Sequence, residues 1–475
     1  MKSLILGIRL YAIEIEFPAL YITVRDAVLQ RNTQLNLVLI NTLVILFIML
    51  QSRAVRILTI FFTTINISYA LPHHNPRSPY SPPTTSLLDR RATAIDFVAY
   101  AAAGIDQMQT YYSASTGLWS NAWWNSANAL TLLADFQEYF PDKAKPTTNT
   151  VFPTTLKQAP ANPGFASFTD GFYDDELWWV LAWIKVYDVT GDTTYLDTAA
   201  TLFENSKIAW GTTPAACKGG LWYELLFPFP TCTTLLTILA RWDKAHTSVN
   251  AVANALYITA AAKLANRRPS TPSSGYYYDE AVKATTWFLN SGMINSQNQI
   301  NDGLDLANNC VNNNGPIFTY NQGIILSGLV ELTWASGNDS YNELANTLAT
   351  STISIMTDAN GILHEACEST GGCDPDLQQF KGIFGRNIQF LYNRANILPA
   401  NTKTLYQSFL QTNANAIWAN DQGFCSQNVQ QVLLLIRLIV DNQLGLVWSG
   451  PSSSMATLET QSSALDAIVG AAAVS

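Results

Sequence analysis

Tyr173–Asp188 reads YDDELWWVLAWIKVYD, with eight consecutive non-polar residues from Leu177 to Ile184. At a period of 3.6 residues such a run leaves no polar face, and a helix that is apolar on every side must be buried. Asp174, Asp175 and Glu176 open it. Acids in a first turn complement the helix dipole and can cap it. One aspartate serves that purpose, and two adjacent ones followed by a glutamate exceed it.

Past Ala92 the helical period dominates and strand-like alternation is scarce. Nearly all-apolar segments run over Trp123–Phe136, Tyr173–Tyr187, Val249–Asn266, Tyr320–Trp334, Phe380–Tyr392 and Val429–Val440. Amphipathic ones, with charges or amides on one face, run over Ala94–Tyr112, Thr194–Trp210, Tyr278–Asn290, Tyr341–Met356 and Thr402–Trp418. Buried and half-exposed helices that alternate along the chain fit two concentric rings. The expected fold is all-α: an (α/α)6 barrel of six inner and five to six outer helices. Prolines at 141, 146, 153, 160 and 163 predict that the outer helix between Glu138 and Asp170 is short or broken.

The 475 residues are 48% hydrophobic and 13% charged, with 13 Trp, which excludes a disordered chain. A net charge of −9 argues against nucleic acid, whose binding draws on clustered Lys and Arg. Of four histidines, His73 and His74 sit beside prolines, leaving His246 and His364. A three-His metal site cannot be built, a Ser-His-Asp triad has little to draw on, and no Cys/His metal spacing occurs. No metal or cofactor is expected, and carboxylates remain as the reactive groups.

The inner segments share a pattern at their leading ends. Trp123-Trp124-Asn125, Asp170 to Asp175, Tyr320-Asn321-Gln322-Gly323 and Lys381-Gly382 gather aromatic, amide and charged groups there. In a ring these ends converge on one mouth. Retaining glycosidases place two carboxyl groups ~5–5.5 Å apart, one as nucleophile and one as acid/base. Asp174 and Asp175 meet the residue requirement, and their mutual repulsion raises one pKa. Trp178, Trp179 and Trp183 read as core. Trp119, Trp123, Trp124 and Trp222 sit at helix starts or loops where they can stack on sugar rings, and Tyr173 joins the same cluster. Asp302, ahead of Gly303, can reach the mouth, Asp305 reads as a turn former, and Arg386 reads as the partner of a buried carboxylate.

Residues 1–70 read as a signal, a signal-anchor or a gene-model extension. The run Leu35–Leu50 is marginal for a membrane span, which needs about 20 residues. Ile57–Ile67 behind Arg53 and Arg56, closed by Ser68-Tyr69-Ala70, has the form of a secretory signal. Residues 71–91 form a Pro-rich pro-segment ending in Arg90-Arg91, a dibasic pair of the kind that is processed, and 92–475 form a single catalytic domain. Six cysteines and the sequon Asn338-Asp339-Ser340 downstream fit an extracellular protein, with Cys367 and Cys373 as the easiest local pair.

On WWNSAN at 123–128, DGFYDDELWWVLAWIKVYD at 170–188, GGLW at 219–222, NALYITAAAKLANR at 254–267, FTYNQGIILSGL at 318–329 and FKGIFGRNIQFL at 380–391, the chain resembles glycoside hydrolase family 76, the α-1,6-mannanases, over residues 92–475. The resemblance implies an (α/α)6 barrel and a retaining mechanism. It implies Asp174 as nucleophile and Asp175 as general acid/base. The substrate so implied is α-mannan, and the residues that the helix-leading clusters and loops offer as its contacts are Trp123, Trp124, Asn125, Tyr173, Trp222, Asp302, Tyr320, Asn321 and Lys381. The protein is then a secreted monomer, with a membrane-anchored form as the alternative. Two other activities stay open: cell-wall mannan transglycosylation, and glycan binding without turnover.

One stretch departs from the family. LLFPFPTCTTLLTILARW at 225–242 is apolar and uncapped where the family runs directly into the next inner helix. It reads either as a non-native insertion from a retained intron, which leaves a thiol unpaired, or as a loop closed by Cys217–Cys232.

Overall fold

The structure is a computed structural model, and it describes residues 96–222, 248–370, 373–422, 442–451 and 456–475. The N-terminal signal and pro-segment, the 225–242 insertion with Cys232, His246, Cys425 and the Val429–Val440 segment lie outside the described residues.

Among the described residues twelve α-helices alternate between two rings. The outer ring holds α1 (Phe97–Gln109), α3 (Pro141–Gln158), α5 (Thr193–Lys207), α7 (Tyr276–Asn290), α9 (Ser340–Met356) and α11 (Ala400–Asn420). The inner ring holds α2 (Trp124–Tyr139), α4 (Tyr173–Thr190), α6 (Ala251–Arg267), α8 (Thr319–Ser336), α10 (Phe380–Arg394) and α12 (Leu458–Ala473). Each inner helix packs on the next, and α12 closes the ring against α2. The fold is the (α/α)6 barrel that the alternation predicts.

The inner helices are buried almost all round. In α6 every residue from Ala251 to Ala265 is buried, and in α8 fourteen of the eighteen are, from Thr319 to Thr333. Close approach depends on small residues. A Cβ on Gly382 of α10 would lie 2.5 Å from the Ser463 backbone of α12. One on Gly323 of α8 would lie 2.7 Å from Phe384 Cα of α10. The outward face of α4 is aromatic: Trp179 and Trp183 pack on Phe168, with ring centroids 4.9 and 5.4 Å away. Truncating either Trp would cost ~3–5 kcal/mol.

Two sequence expectations are corrected. The sixth inner place belongs to α12, LETQSSALDAIVGAAA, whose residues from Leu458 to Ala472 include fourteen buried ones. Its first turns carry Glu459, Thr460, Gln461, Ser462 and Ser463, and Asp466 follows, so only the short stretch from Ala467 to Val474 reads as apolar, too brief for an inner helix. The outer helix after Glu138 is neither short nor broken, because α3 runs 18 residues through Pro146 and Pro153. Pro141 stands in the first turn, where the missing N–H costs nothing. Pro146 and Pro153, seven residues apart, both face solvent, so the carbonyls they free can bond water. Ala144, Thr148, Val151, Phe152 and Thr155 form the buried stripe.

Cys217 pairs with Cys310, which overturns the Cys217–Cys232 loop, and Cys367 pairs with Cys373 as expected. Short strands lead into the inner helices. β1 (Tyr112–Ser113) and β2 (Leu118–Trp119) form a hairpin before α2. β3 (Val249–Asn250), β4 (Gly303–Asp305) and β5 (Val311–Asn312) form an antiparallel sheet at the start of α6.

Candidate active site

The inner helices all run the same way, so their N-termini share one end of the barrel. A cavity inside the ring is lined by Thr131, Trp178, Lys185, Ser327, Arg386 and Phe390 among others. On α4 the lining residues Trp178, Leu181 and Lys185 mark the inward stripe. Four residues before Trp178 on that stripe stands Asp174. The same arithmetic puts Trp124 seven residues before Thr131, Tyr320 four before Ile324, and Phe380 seven before Asn387. These four side chains therefore stand at the rim.

Ring contacts bear this out. Trp124 and Trp178 stack at 5.7 Å, Trp124 lies 6.3 Å from Phe380, and Tyr320 stacks on Phe380 at 3.6 Å. The result is an aromatic arc with half-exposed Trp124 and Tyr320 along it. Deeper in the barrel, ion pairs cross between inner helices. Lys185 pairs with Asp135 at 2.6 Å and with Glu138, Arg267 bridges Asp188 and Glu331, and Arg386 meets the buried Asp466 at 3.4 Å.

The acids open α4 at the same rim, with Asp174 one turn ahead of Trp178. The N-cap position of α4 is Phe172, which makes no side-chain cap, so neither aspartate occupies it. Asp174 is 7% exposed, and its Oδ1 has no hydrogen-bond partner among the described residues. Burial raises its pKa well above the ordinary carboxylate value, and the charge of Asp170 adds to this; backbone N–H groups of its own turn oppose it. Half-buried Asp175 is raised likewise, first by burial, then by the charges of Asp174 and Asp170, and by a hydrogen bond with Asp170. Asp376, in the loop before α10, adds its negative charge to both. Neither Asp174 nor Asp175 meets a cation in any salt bridge among the described residues. Four carboxyls thus share a poorly hydrated space and cannot all ionise together.

Other residues named from the sequence divide in two. Asp302 precedes β4, its backbone carbonyl accepts the Ala251 N–H at 2.7 Å, and Asn321 Nδ2 approaches its Oδ1 at 3.5 Å. Burial raises its pKa. With Asn321 fully buried behind it, Asp302 is placed at the start of α6. Tyr173 and Trp222 are each 5% exposed, and Leu221, beside Trp222, exchanges hydrogen bonds with Asn254 of α6.

The second group is turned away. Trp123 is 6% exposed and stacks on Phe165 at 4.1 Å, so it packs in the wall and offers no face to a ligand. Asn125 is buried and donates to Gln379 Oε1 at 3.0 Å, tying α2 to the turn before α10. Lys381 is 1% exposed; it pairs with Glu368 at 2.8 Å, donates to the Leu446 carbonyl at 2.7 Å and lies over the Trp448 ring. One residue past Phe380 is a rotation of about 100° round the helix, which takes it out of the lumen. His364 bonds Glu368 and Asp358 instead of facing the acids. Trp119 is fully buried.

Asp376 and Phe380 were not singled out from the sequence as site residues, and Asp170 stood in the cluster ahead of α4 without a role of its own. Asp376 precedes α10 by four residues, as Asp170 precedes Asp174, so an acid just ahead of an inner helix was the signal available.

The chain is similar to known proteins in sequence and in fold. Mannan endo-1,6-alpha-mannosidase DFG5 of Candida albicans is 23% identical over 58% of this chain and 60% of its own length. Mannan endo-1,6-alpha-mannosidase DCW1 of the same organism is 25% identical over 67% of each. This chain thus spans about three fifths to two thirds of these relatives. The GH76A alpha-1,6-mannanase of a Salegentibacter species superposes with a TM-score of 0.64 at 21% identity, covering 80% of this chain and all of that one. An inactive variant of that mannanase, with two neighbouring aspartates replaced, was solved in complex with alpha-1,6-mannotriose. Dfg5 of Chaetomium thermophilum superposes with a TM-score of 0.63 at 17% identity, covering 80% of this chain and 90% of that one. The model for glycosyl hydrolase family 76 matches residues 97–474, and with twelve helices and a paired-acid rim in place, the chain belongs to that family.

Proposed function

We propose that this chain is a retaining glycosidase that cleaves α-1,6-mannosidic bonds within mannan. The observation that carries this reading is the adjacent pair of buried Asp174, at the top of the inward stripe of α4, and half-buried Asp175, at the rim that Trp124, Tyr320 and Phe380 share. Family membership and the paired aspartates of the inactive mannanase variant support it.

In this reading Trp124 and Tyr320 stack on sugar faces while Asp302 bonds hydroxyls. Asp174, ionised, attacks the anomeric carbon as Asp175 protonates the departing glycosidic oxygen. The glycosyl–Asp174 ester is then hydrolysed by a water that gives its proton back to Asp175. Repulsion among the acids keeps one proton in the pair, so nucleophile and acid coexist. The described cysteines are disulfide-bonded, which agrees with an extracellular setting.

Incubating the protein with linear α-1,6-mannan and following reducing ends tests the proposal. Shortening chains are expected, and Asp174→Asn should abolish release while keeping the helical CD signal. Full activity in that variant ends the proposal. Products longer than the substrate would identify transfer to a sugar acceptor instead of water.

A further inference from the structure

Asp170 belongs to no helix, yet its side chain is tied to the first turn of α4. Gly171 takes φ +97°, a left-handed conformation that glycine adopts without strain, and folds the chain back at that point. Asp170 Oδ1 then accepts the Phe172 N–H at 3.1 Å, and its carboxyl hydrogen-bonds that of Asp175. Two carboxyls can share a hydrogen bond only if one carries a proton. Burial raises the Asp170 carboxyl, but the Phe172 amide and the hydrogen bond with Asp175 hold it down, whereas burial and the charges of Asp174, Asp170 and Asp376 all push Asp175 up with nothing opposing them. The proton consequently sits on Asp175.

We propose that Asp170 is a positioning residue that orients the Asp175 carboxyl and keeps it protonated for departure of the leaving oxygen. This rests on the reading of Asp175 as general acid/base. Once Asp175 has given its proton away, two carboxylates face each other, and their repulsion drives Asp175 to recover a proton from the attacking water. Asp170 thus favours both halves of the cycle without touching the sugar. If Asp170 only shaped the chain entering α4, its carboxylate charge would be irrelevant.

Asp170→Asn separates these roles. The amide oxygen still accepts the Phe172 N–H, while the NH2 group donates to Asp175 and stabilises its charged form. On α-1,6-mannan, the alkaline limb of the kcat/KM profile should move down by about one pH unit or more. On an α-1,6-mannooligosaccharide with a 2,4-dinitrophenyl leaving group, which departs without a proton, the rate of the first step should stay within about threefold of wild type. A superimposable pH profile, or an equal loss on both substrates, overturns the proposal. Asp170→Ser, which keeps an acceptor and removes the charge, is read by the same two criteria should Asp170→Asn fail to fold. Asp175→Ala with azide isolates the underlying reading. Rescue as a mannosyl azide supports Asp175 as acid/base and leaves Asp170 to be judged on its own profile. No rescue removes Asp175 from that role and the proposal with it.

Discussion

Trp124 Nε1 donates to Asp376 Oδ1 at 3.0 Å, joining the start of α2 to the loop that leads into α10. The bond fixes the indole that stacks over Trp178 and anchors an acid that faces the Asp174–Asp175 pair. Trp124→Phe keeps an aromatic face and removes the donor. A hydrogen bond to a charged group contributes about 1.5–3 kcal/mol, part of which here is felt by bound sugar. KM for α-1,6-mannooligosaccharides should rise about tenfold with kcat changed by less than about threefold. Initial-rate kinetics check this, and a wild-type KM would remove Trp124 from the subsite.

Much of this was legible beforehand, for physical reasons that differ by element. The run Leu177–Ile184 announced a buried helix because no rotation of it offers a polar face. Helix α12 was not announced, since its polar first half, Glu459 to Ser463, leaves only the short apolar stretch from Ala467 to Val474, while its small residues let it close the ring. Prolines 146 and 153 were misread because their effect depends on which side faces water, a tertiary property. At the site, Asp174 and Asp175 stood out by adjacency. Lys381 and Trp123 were given to the mouth because nearness to a helix start does not fix direction, and one residue's rotation sent each into the wall.

Close packing between α10 and α12 gives a prediction about stability. A Cβ at Gly382 would sit 2.5 Å from backbone atoms of Ser463 and 2.9 Å from Asp466 Oδ2, and backbone cannot swing aside as a side chain can. Gly382→Ala should therefore destabilise, by roughly 1–3 kcal/mol, despite alanine's better helix propensity. Chemical denaturation measures it, and an unchanged or higher midpoint would refute the close approach.

The Cys217–Cys310 bond links the loop before Trp222 to the turn after Asp302 across 93 residues. Closing a loop of that size contributes roughly 4–5 kcal/mol in the chain-entropy account. Cys310→Ser should lower the unfolding free energy, read from chemical denaturation, by about 2–5 kcal/mol, the range typical for a native bridge. Because the bridge also sets Trp222 and Asp302 relative to each other, KM should rise in the folded variant. A stability loss with wild-type KM would confine the bridge to scaffolding.

Crowded acids at the mouth should cost stability that function retains. Asp174→Asn removes one charge from the group formed with Asp170, Asp175 and Asp376, and it replaces a carboxyl whose pKa burial has raised well above normal. At pH 7 the variant should melt at or above the wild-type temperature while inactive, and the difference should shrink near pH 4.5, where wild type is protonated there too. A clear loss of stability at pH 7 would show that the carboxylate is structurally needed.

The last prediction concerns acid tolerance of the whole domain. Burial pushes Glu176 and Asp421 up to about 8, and Glu365 and Asp466 up to about 7. A carboxyl whose folded pKa exceeds its unfolded value, near 4, gives the native state extra bound protons between the two. The stability so linked is fully present below about pH 4 and is lost as pH rises through 7 to 8. Glu368 acts oppositely, since its pKa is lowered in spite of burial by His364 and Lys381, but its contribution is lost only in stronger acid. The melting temperature should accordingly be higher at pH 5 than at pH 8. Asp421 isolates the effect: it is fully buried, and neither carboxylate oxygen has a hydrogen-bond partner among the described residues. Asp421→Asn should raise the melting temperature at pH 8 and leave it nearly unchanged at pH 4.5, so that calorimetry of wild type and variant at both pH values gives a flatter profile for the variant. Equal shifts at the two pH values would mean that Asp421 titrates outside this window.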